Sequence, residues 1–323
     1  MTVRIIILDG ATLNPGDNPW TIIEELGQTR IFDSTPEPQI AERLFGAQIA
    51  VTNKTPLRSD TFASLPSLEL VSVTATGYDC VDIDSARKLG IPVCNIPTYG
   101  TDSVAQFVFA LLLEHCHHVA QHDAAVRDGE WATHGAFSFW KTPQIELSGR
   151  TMGIIGFGRI GRRVGEIAHA FGMPVLACDE LQRDPPAYEP FAWASAPDIA
   201  QRSDVVTLHC NLTDSTKGIV SHEFLQRMKP TAFLINAARG ALVDEIALAE
   251  ALNSGLIAGA ALDVGSSEPI RVNNPLLAAK DCIITPHIAW STLAARRRLM
   301  QTTAANIQAF LDGSPQNVVN API

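Results

Sequence analysis

Residues 151–161, TMGIIGFGRIG, constrain the fold of this chain more than any other segment. An apolar run leads without a break into Gly156-Phe157-Gly158-Arg159-Ile160-Gly161, and a helix-patterned stretch follows. In a strand–turn–helix the three glycines have separate tasks. Gly156 permits the tight turn, Gly158 lets a phosphate approach the backbone, and Gly161 lets the helix lie against the strand. The helix N-terminus adds N–H groups and a partial positive charge. A glycine-rich turn alone can be purely architectural. Here the next apolar run, PVLACD, ends in Asp179, 18 residues beyond Gly161, where a carboxylate hydrogen-bonds the ribose hydroxyls of a dinucleotide. That carboxylate repels a 2′-phosphate, so NAD is expected over NADP, with Arg183 leaving some tolerance for the latter.

The rest of the chain agrees with a doubly wound α/β architecture. Short β-branched runs at 3–8, 48–53, 68–74 and 92–96 alternate with helical patterns, as expected of parallel strands covered on both faces. A second series begins at Thr151, with strands expected at 152–156, 174–179, 204–209, 232–237, 258–264 and 282–285. Six strands fit a Rossmann dinucleotide domain. Between the series, 103–120 is apolar nearly all round and reads as a buried helix. A long helix is expected over 292–311, with a tail too short to be a domain. The tail therefore returns to the first domain. The expected division is a discontinuous flavodoxin-like domain, 1–100 and 296–323, and a Rossmann domain, 101–295.

Composition excludes several functions. A formal charge of −10 disfavours nucleic-acid binding. The basic triplet Arg296-Arg297-Arg298 reads as a solvated helix face. No apolar run is long enough to span a membrane, and the N-terminus has no secretory pattern. Six cysteines stand singly, without a CxxC pair, so a reduced cytoplasmic chain without metal is expected. His115, His118 and His122 have the spacing of one helix face but no acids to complete a metal site.

Three further segments end expected strands with polar residues, and they carry Arg239, Glu268 and His287. In an open parallel sheet ligands bind beyond the carboxyl ends of the strands, so residues distant in sequence converge there. Interconverting a 2-keto and a 2-hydroxy acid calls for a forked cation to hold the carboxylate, which Arg239 supplies. It also calls for a proton donor near neutrality, which suits His287. A carboxylate beside the histidine, Glu268, orients it and favours its protonated form. Each has a plain alternative alone: a salt-bridged turn, a loop acid, a satisfied loop histidine.

The segments GIIGFGRIG, NAARGALVDE, LDV…EP and TPHIAW resemble the D-isomer-specific 2-hydroxyacid dehydrogenase family over essentially the whole chain. NIPTYGTDSVAQFVFALLLEHCHHV and NPLLAAKDCIITPHIAW are similar to its glycerate dehydrogenase (hydroxypyruvate reductase) branch. The resemblance implies NAD-dependent reduction of a small 2-keto acid, hydroxypyruvate or glyoxylate, to the D-2-hydroxy acid. It puts Arg239, Glu268 and His287 in the catalytic roles. It implies a homodimer through the nucleotide domain and an active site in a cleft between two domains. It further implies that Thr76 and Gly77, in the loop 75–79, bind the substrate carboxylate. His209, Thr216, Ala237, Asp263 and Ala289 should line the nicotinamide or ribose. Phe137, Phe139 and Trp140 read as core or dimer packing, or as a substrate contact from a neighbouring subunit. Trp290 either shapes the pocket or packs in the core. Alternatives are the same chemistry on another acid, such as phenylpyruvate or phosphoglycerate, and a non-catalytic NAD-sensing partner protein. A phosphorylated substrate calls for extra basic residues in the first domain, and none cluster there.

Overall fold

Runs such as Arg4-Ile-Ile-Ile7 and Phe233-Leu-Ile-Asn236 carry apolar side chains on both sides of a strand, so they are stable only inside a sheet covered twice. A computed structural model of the protein, describing residues 2–321, shows two such sheets. Met1, Pro322 and Ile323, at the ends of the expected segments 1–100 and 296–323, lie outside the described residues.

The chain divides into two compact units, one running to Gly100 and resuming at Ser291, the other Thr101–Trp290. The second crossing falls just before the long helix, earlier than the 295/296 boundary expected from sequence.

Unit 1 contains five parallel strands: β1 (Arg4–Ile7), β2 (Gln28–Ile31), β3 (Ile49–Thr52), β4 (Leu70–Val73) and β5 (Val93–Cys94). Their order is β2-β1-β3-β4-β5, the flavodoxin-like winding. Period-two alternation sorts the core. Ile6, Leu8, Val71 and Val73 face one layer, while Ile5, Ile7, Ile49 and Leu70 face Met300, Ala304 and Ile307 of the helix Leu293–Leu311. Each fully buried isoleucine contributes about 1.5–3 kcal/mol. Beyond β1, Asp9 is buried and accepts hydrogen bonds from the backbone N–H groups of Asn53, Lys54 and Thr55 (2.8, 2.6 and 2.8 Å), fixing the loop after β3.

The basic triplet differs from its expected solvated face. Arg296 is 8% exposed, donates Nη2 to Asp17 Oδ2 (2.7 Å) and Nε to the Ser291 carbonyl (2.9 Å). A paired guanidinium can be buried where a free one cannot, and only Arg297 and Arg298 remain exposed.

Unit 2 contains seven parallel strands: β6 (Met152–Ile155), β7 (Val175–Cys178), β8 (Phe191–Trp193), β9 (Val205–Leu208), β10 (Phe233–Asn236), β11 (Gly259–Leu262) and β12 (Cys282–Ile284). The order is β12-β11-β10-β9-β6-β7-β8, the doubly wound pattern with its reversal between β6 and β9. The sequence suggests six strands. The seventh, β8, is a three-residue edge strand paired only with β7, and prolines precede it, so it reads as loop.

The helix Thr101–His117 buries Ala105, Val108, Phe109, Leu111, Leu112 and Cys116 against this sheet. It is shorter than the expected 103–120. His118 adopts a left-handed conformation (φ 44°), and a new helix, Val119–Arg127, starts after it. The three histidines therefore do not share one helix face. His115 stacks on Phe233 with ring centroids 3.9 Å apart, and burial pushes it down to about 4. His122 Nδ1 lies 2.9 Å from the His118 carbonyl, and its Nε2 accepts from Lys141 N (3.0 Å). All six cysteines are free thiols.

Candidate active site

All strands of unit 2 run the same way, so the loops after β6, β7, β9, β10, β11 and β12 emerge on one edge of its sheet. Every candidate residue of that unit lies in or beside one of them.

At the reversal point the glycines divide as the local geometry requires. Gly156 has φ +93°, and a methyl group there would lie 2.2 Å from Cys210 N. One at Gly161 would lie 2.1 Å from the Gly156 carbonyl oxygen. Both absences of a side chain let protein backbone meet protein backbone. Gly158 is different: nothing lies within 4 Å of the position its Cβ would take, and it caps the N-terminus of the helix Arg159–Ala170. An open cradle over a helix N-terminus is what a pyrophosphate needs. Asp179 Oδ2 accepts the Phe157 N–H (2.6 Å) and Oδ1 the Leu181 N–H (3.1 Å), so the carboxylate is fixed at the end of β7. The Phe157 side chain packs against Phe191 and Trp193 in the core, so its role at the turn is the backbone N–H that holds Asp179. Arg159 is exposed, and Ile160 packs partly into the core.

His209 follows β9. Its Nε2 lies 3.0 Å from Thr207 Oγ1, while Nδ1 is buried without a protein partner among the described residues. Burial pushes this histidine down to about 3. Thr216 Oγ1 donates to the Asn211 carbonyl (2.6 Å) and accepts from Thr213 N (2.8 Å), shaping the turn that follows. Ala237 is half-buried at the end of β10. The cradle at Gly158, the fixed carboxylate and the orphaned His209 nitrogen fit a dinucleotide.

These two half-buried, desolvated histidines have a measurable consequence. In the unfolded chain both titrate near 6.5, whereas in the folded protein they stay neutral to about 4 (His115) and about 3 (His209). Below pH 6.5 the unfolded state therefore binds more protons, and stability, fully present above that pH, is lost as pH falls. Each histidine contributes a slope of up to roughly 1.4 kcal/mol per pH unit. Urea midpoints should fall between pH 7 and pH 5, and His115→Gln should flatten the fall. Equal midpoints at both pH values would contradict the burial of these rings.

The catalytic candidates leave three consecutive strands, β10, β11 and β12. Glu268 Oε2 lies 2.7 Å from His287 Nδ1. His287 holds φ +56°, a region costly for a residue with a side chain. Asp263 sustains it. This carboxylate is 1% exposed and accepts from Thr285 Oγ1 (2.7 Å), Ile288 N (2.9 Å) and Ala289 N (2.8 Å), fastening the loop on both sides of the histidine. Ser103 Oγ donates to the Ala289 carbonyl (2.9 Å). Asp263 and Ala289, expected to line the nicotinamide or ribose, are both buried and both take part in holding the histidine loop. Sequence reasoning missed Ser103; a hydroxyl at the start of the helix Thr101–His117 leaves no distinct signal.

Arg239 extends from the loop after β10. Asn236 Nδ2 donates to the Arg239 carbonyl (2.9 Å), and Arg239 Nη1 donates to the Ala238 carbonyl (2.8 Å). In unit 1, Thr76 Oγ1 donates to the Ile96 carbonyl (2.8 Å) and the Thr76 carbonyl accepts from Asn95 Nδ2 (2.7 Å), tethering the loop that also carries half-buried Gly77.

The aromatic stretch is not core. Phe137 is 93% and Trp140 68% exposed, while Phe139 stacks on His134. Trp290 is half-buried.

Comparison with known proteins follows the same lines. Residues 109–289 match the family model described as the D-isomer specific 2-hydroxyacid dehydrogenase, NAD binding domain. The chain is 47% identical to a hydroxypyruvate reductase of Blautia hydrogenotrophica, over 98% of this chain and 100% of that protein. It is 39% identical to a glycerate dehydrogenase of Methylorubrum extorquens, over 99% and 100% respectively. Among solved structures, the D-lactate dehydrogenase from Aquifex aeolicus, complexed with NAD and lactic acid, superposes with a TM-score of 0.83 at 27% identity, over 99% of this chain and 100% of that one.

Proposed function

The chain belongs to the D-isomer-specific 2-hydroxyacid dehydrogenase family, and from that premise we propose that it reduces hydroxypyruvate to D-glycerate, and glyoxylate to glycolate, with NADH. The observation that carries the reading is the Glu268–His287 pair at 2.7 Å, at the same edge of the parallel sheet as the dinucleotide fingerprint. The choice of acid is supported by the names of the relatives from Blautia hydrogenotrophica and Methylorubrum extorquens.

The hydride for the keto carbon would come from NADH held at the Gly156–Gly161 turn and Asp179. His287 donates a proton to the keto oxygen and recovers it in the reverse direction. Its Nδ1 is engaged by Glu268, so Nε2 is the nitrogen that carries this proton. Glu268 fixes the ring and balances the charge of the protonated form. Arg239 binds the substrate carboxylate with its forked donors and polarises the adjacent carbonyl. Thr76 and Gly77 are assigned to the substrate carboxylate on the family resemblance. Asp179, its carboxylate fixed at the end of β7, would repel a 2′-phosphate and so favours NADH over NADPH.

One panel tests the reading: initial rates with hydroxypyruvate, glyoxylate, pyruvate and phenylpyruvate, each with NADH and with NADPH. Hydroxypyruvate should give the highest kcat/KM, and NADH should be preferred. Equal rates across the acids would remove the substrate assignment and leave the reaction class; an NADPH preference would remove the role given to Asp179.

The protein is further proposed to be a cytoplasmic homodimer. The location rests on six single, free cysteines. The dimer rests on the family resemblance and on the exposed aromatic surface of Trp131 (50%), Phe137 (93%) and Trp140 (68%), apolar area that a monomer would leave in water. Sedimentation should give twice the chain mass, and Phe137→Glu with Trp140→Glu should shift it to the monomer. A dimer unaffected by the pair would place the interface elsewhere.

A further inference from the structure

We propose that Glu245 is a positioning residue that clamps the loop carrying Glu268 and so sets how that carboxylate meets His287. The proposal rests on the reading of Glu268 and His287 given above.

Glu245 opens the helix Glu245–Ser254, where an acid ordinarily serves the helix's own N–H groups. That task is taken by Asp244, whose Oδ1 accepts from Ile246 N and Ala247 N, both at 3.1 Å. The Glu245 carboxylate instead crosses to the segment after β11. Oε1 accepts from Ser266 N (2.7 Å), and Oε2 accepts from Ser266 Oγ (2.7 Å) and Asn274 Nδ2 (2.8 Å). One charged group thus gathers three donors from both ends of the stretch 266–274, and Glu268 lies inside it.

The local bonds on either side of Glu268 are longer, while a 3.0 Å bond from Asn274 N to the Arg271 carbonyl closes the turn beyond it. Gly265 N to Glu268 Oε1 is 3.4 Å, and Ser267 Oγ to the Pro269 carbonyl is also 3.4 Å. Hydrogen bonds to an ionised acceptor at 2.7–2.8 Å are roughly twice as strong as neutral ones. The small residues Gly265, Ser266 and Ser267 contribute little packing to hold the arm. An external clamp replaces what bulkier side chains would supply. Glu245 is on the far side of this loop from the histidine in the bonding network, so it acts through Glu268.

The test compares Glu245→Gln, Glu245→Ala, Glu268→Gln and the double variant Glu245→Gln/Glu268→Gln. Glutamine keeps an acceptor for Ser266 N but cannot accept from both remaining donors, so Glu245→Gln should be milder than Glu245→Ala. The loss expected for Glu245→Ala is roughly tenfold in kcat, with KM for hydroxypyruvate and the NADH Kd changed less than about twofold. The double variant should be no slower than Glu268→Gln alone, because a clamp has nothing left to position. Losses that multiply would overturn the proposal, as would an unchanged kcat in Glu245→Ala. A second readout needs no substrate. The His287 Nδ1 proton shared with Glu268 should give a downfield proton resonance, identified by its disappearance in His287→Gln. Glu245→Ala should shift or broaden it; an unaltered resonance would overturn the clamp even if the chain reduced none of the four acids. Should Glu245→Ala not fold, Glu245→Gln and Ser266→Ala carry both comparisons.

Discussion

His287→Gln lowers turnover at least ~100-fold while NADH affinity stays within about twofold, the low end expected for loss of an acid–base group. Glutamine separates two things histidine does together: its amide can still offer an N–H to a carbonyl oxygen, but it cannot release a proton at neutral pH. The backbone should survive the exchange. The left-handed φ of +56° is maintained by three hydrogen bonds from Thr285, Ile288 and Ala289 to buried Asp263, none of which involves the imidazole. The cofactor loop at Gly156–Gly161 is a separate element, so nucleotide binding, followed by NADH fluorescence, should persist. Stopped-flow hydride transfer distinguishes slow chemistry from slow release. Turnover equal to the parent's would remove His287 from the proton-transfer role.

The fold was legible wherever the sequence carried a continuous apolar run bounded by turn residues. The strands around Ile5, Val51, Val71, Ile154, Val206 and Leu234 are buried on both faces, so their hydrophobicity is unbroken and easy to read. The two elements that escaped are edge strands. Gln28-Thr-Arg-Ile31 is half-exposed and polar at alternate positions, and Phe191-Ala-Trp193 is three residues long behind a proline-rich stretch. Edge strands need only one covered flank, and the pattern that betrays a central strand fades there. The helix break at His118 was illegible for another reason. A left-handed residue is normally announced by glycine or asparagine, and this one is histidine.

The site shows the same division. Arg239, Glu268 and His287 could be singled out because their chemistry is needed at strand ends. The residues that hold them could not. Asp263 reads as a strand-end acid until its carboxylate is seen spent on three donors 22 to 26 positions away. Glu245 reads as an ordinary first-turn acid until its carboxylate is seen to leave the helix for Ser266 and Asn274. Arg296 read as solvated because nothing in sequence links it to Asp17, 279 residues earlier. Supporting interactions are long-range pairings of common residue types, and a single sequence carries no signal for the pairing.

Gly240→Ala should lower kcat/KM by about two orders of magnitude with NADH binding retained, because misplacing a catalytic group by ~1 Å costs on the order of 100-fold. A methyl group at Gly240 would lie 2.0 Å from the Gly265 carbonyl carbon, 2.1 Å from its oxygen and 2.3 Å from Ser266 N. All three atoms are backbone, so no rotamer change can relieve the clash, and one loop must move away from the other. The two loops carry different halves of the machinery: Arg239 adjoins Gly240, and Glu268 follows Gly265-Ser266-Ser267. Separating them pulls Arg239, the proposed substrate anchor, away from Glu268, the proposed partner of His287 in catalysis, while Glu245 holds Ser266 in place. Overpacking of this kind costs about 1–3 kcal/mol of stability, a drop of a few degrees in Tm that leaves the protein folded. The glycine's own backbone angles are not what requires it, since its φ is not among the positive values. A Gly240→Ala variant with full kcat/KM would mean that the two loops are free to slide, and the close backbone approach would then have no part in holding the catalytic residues together.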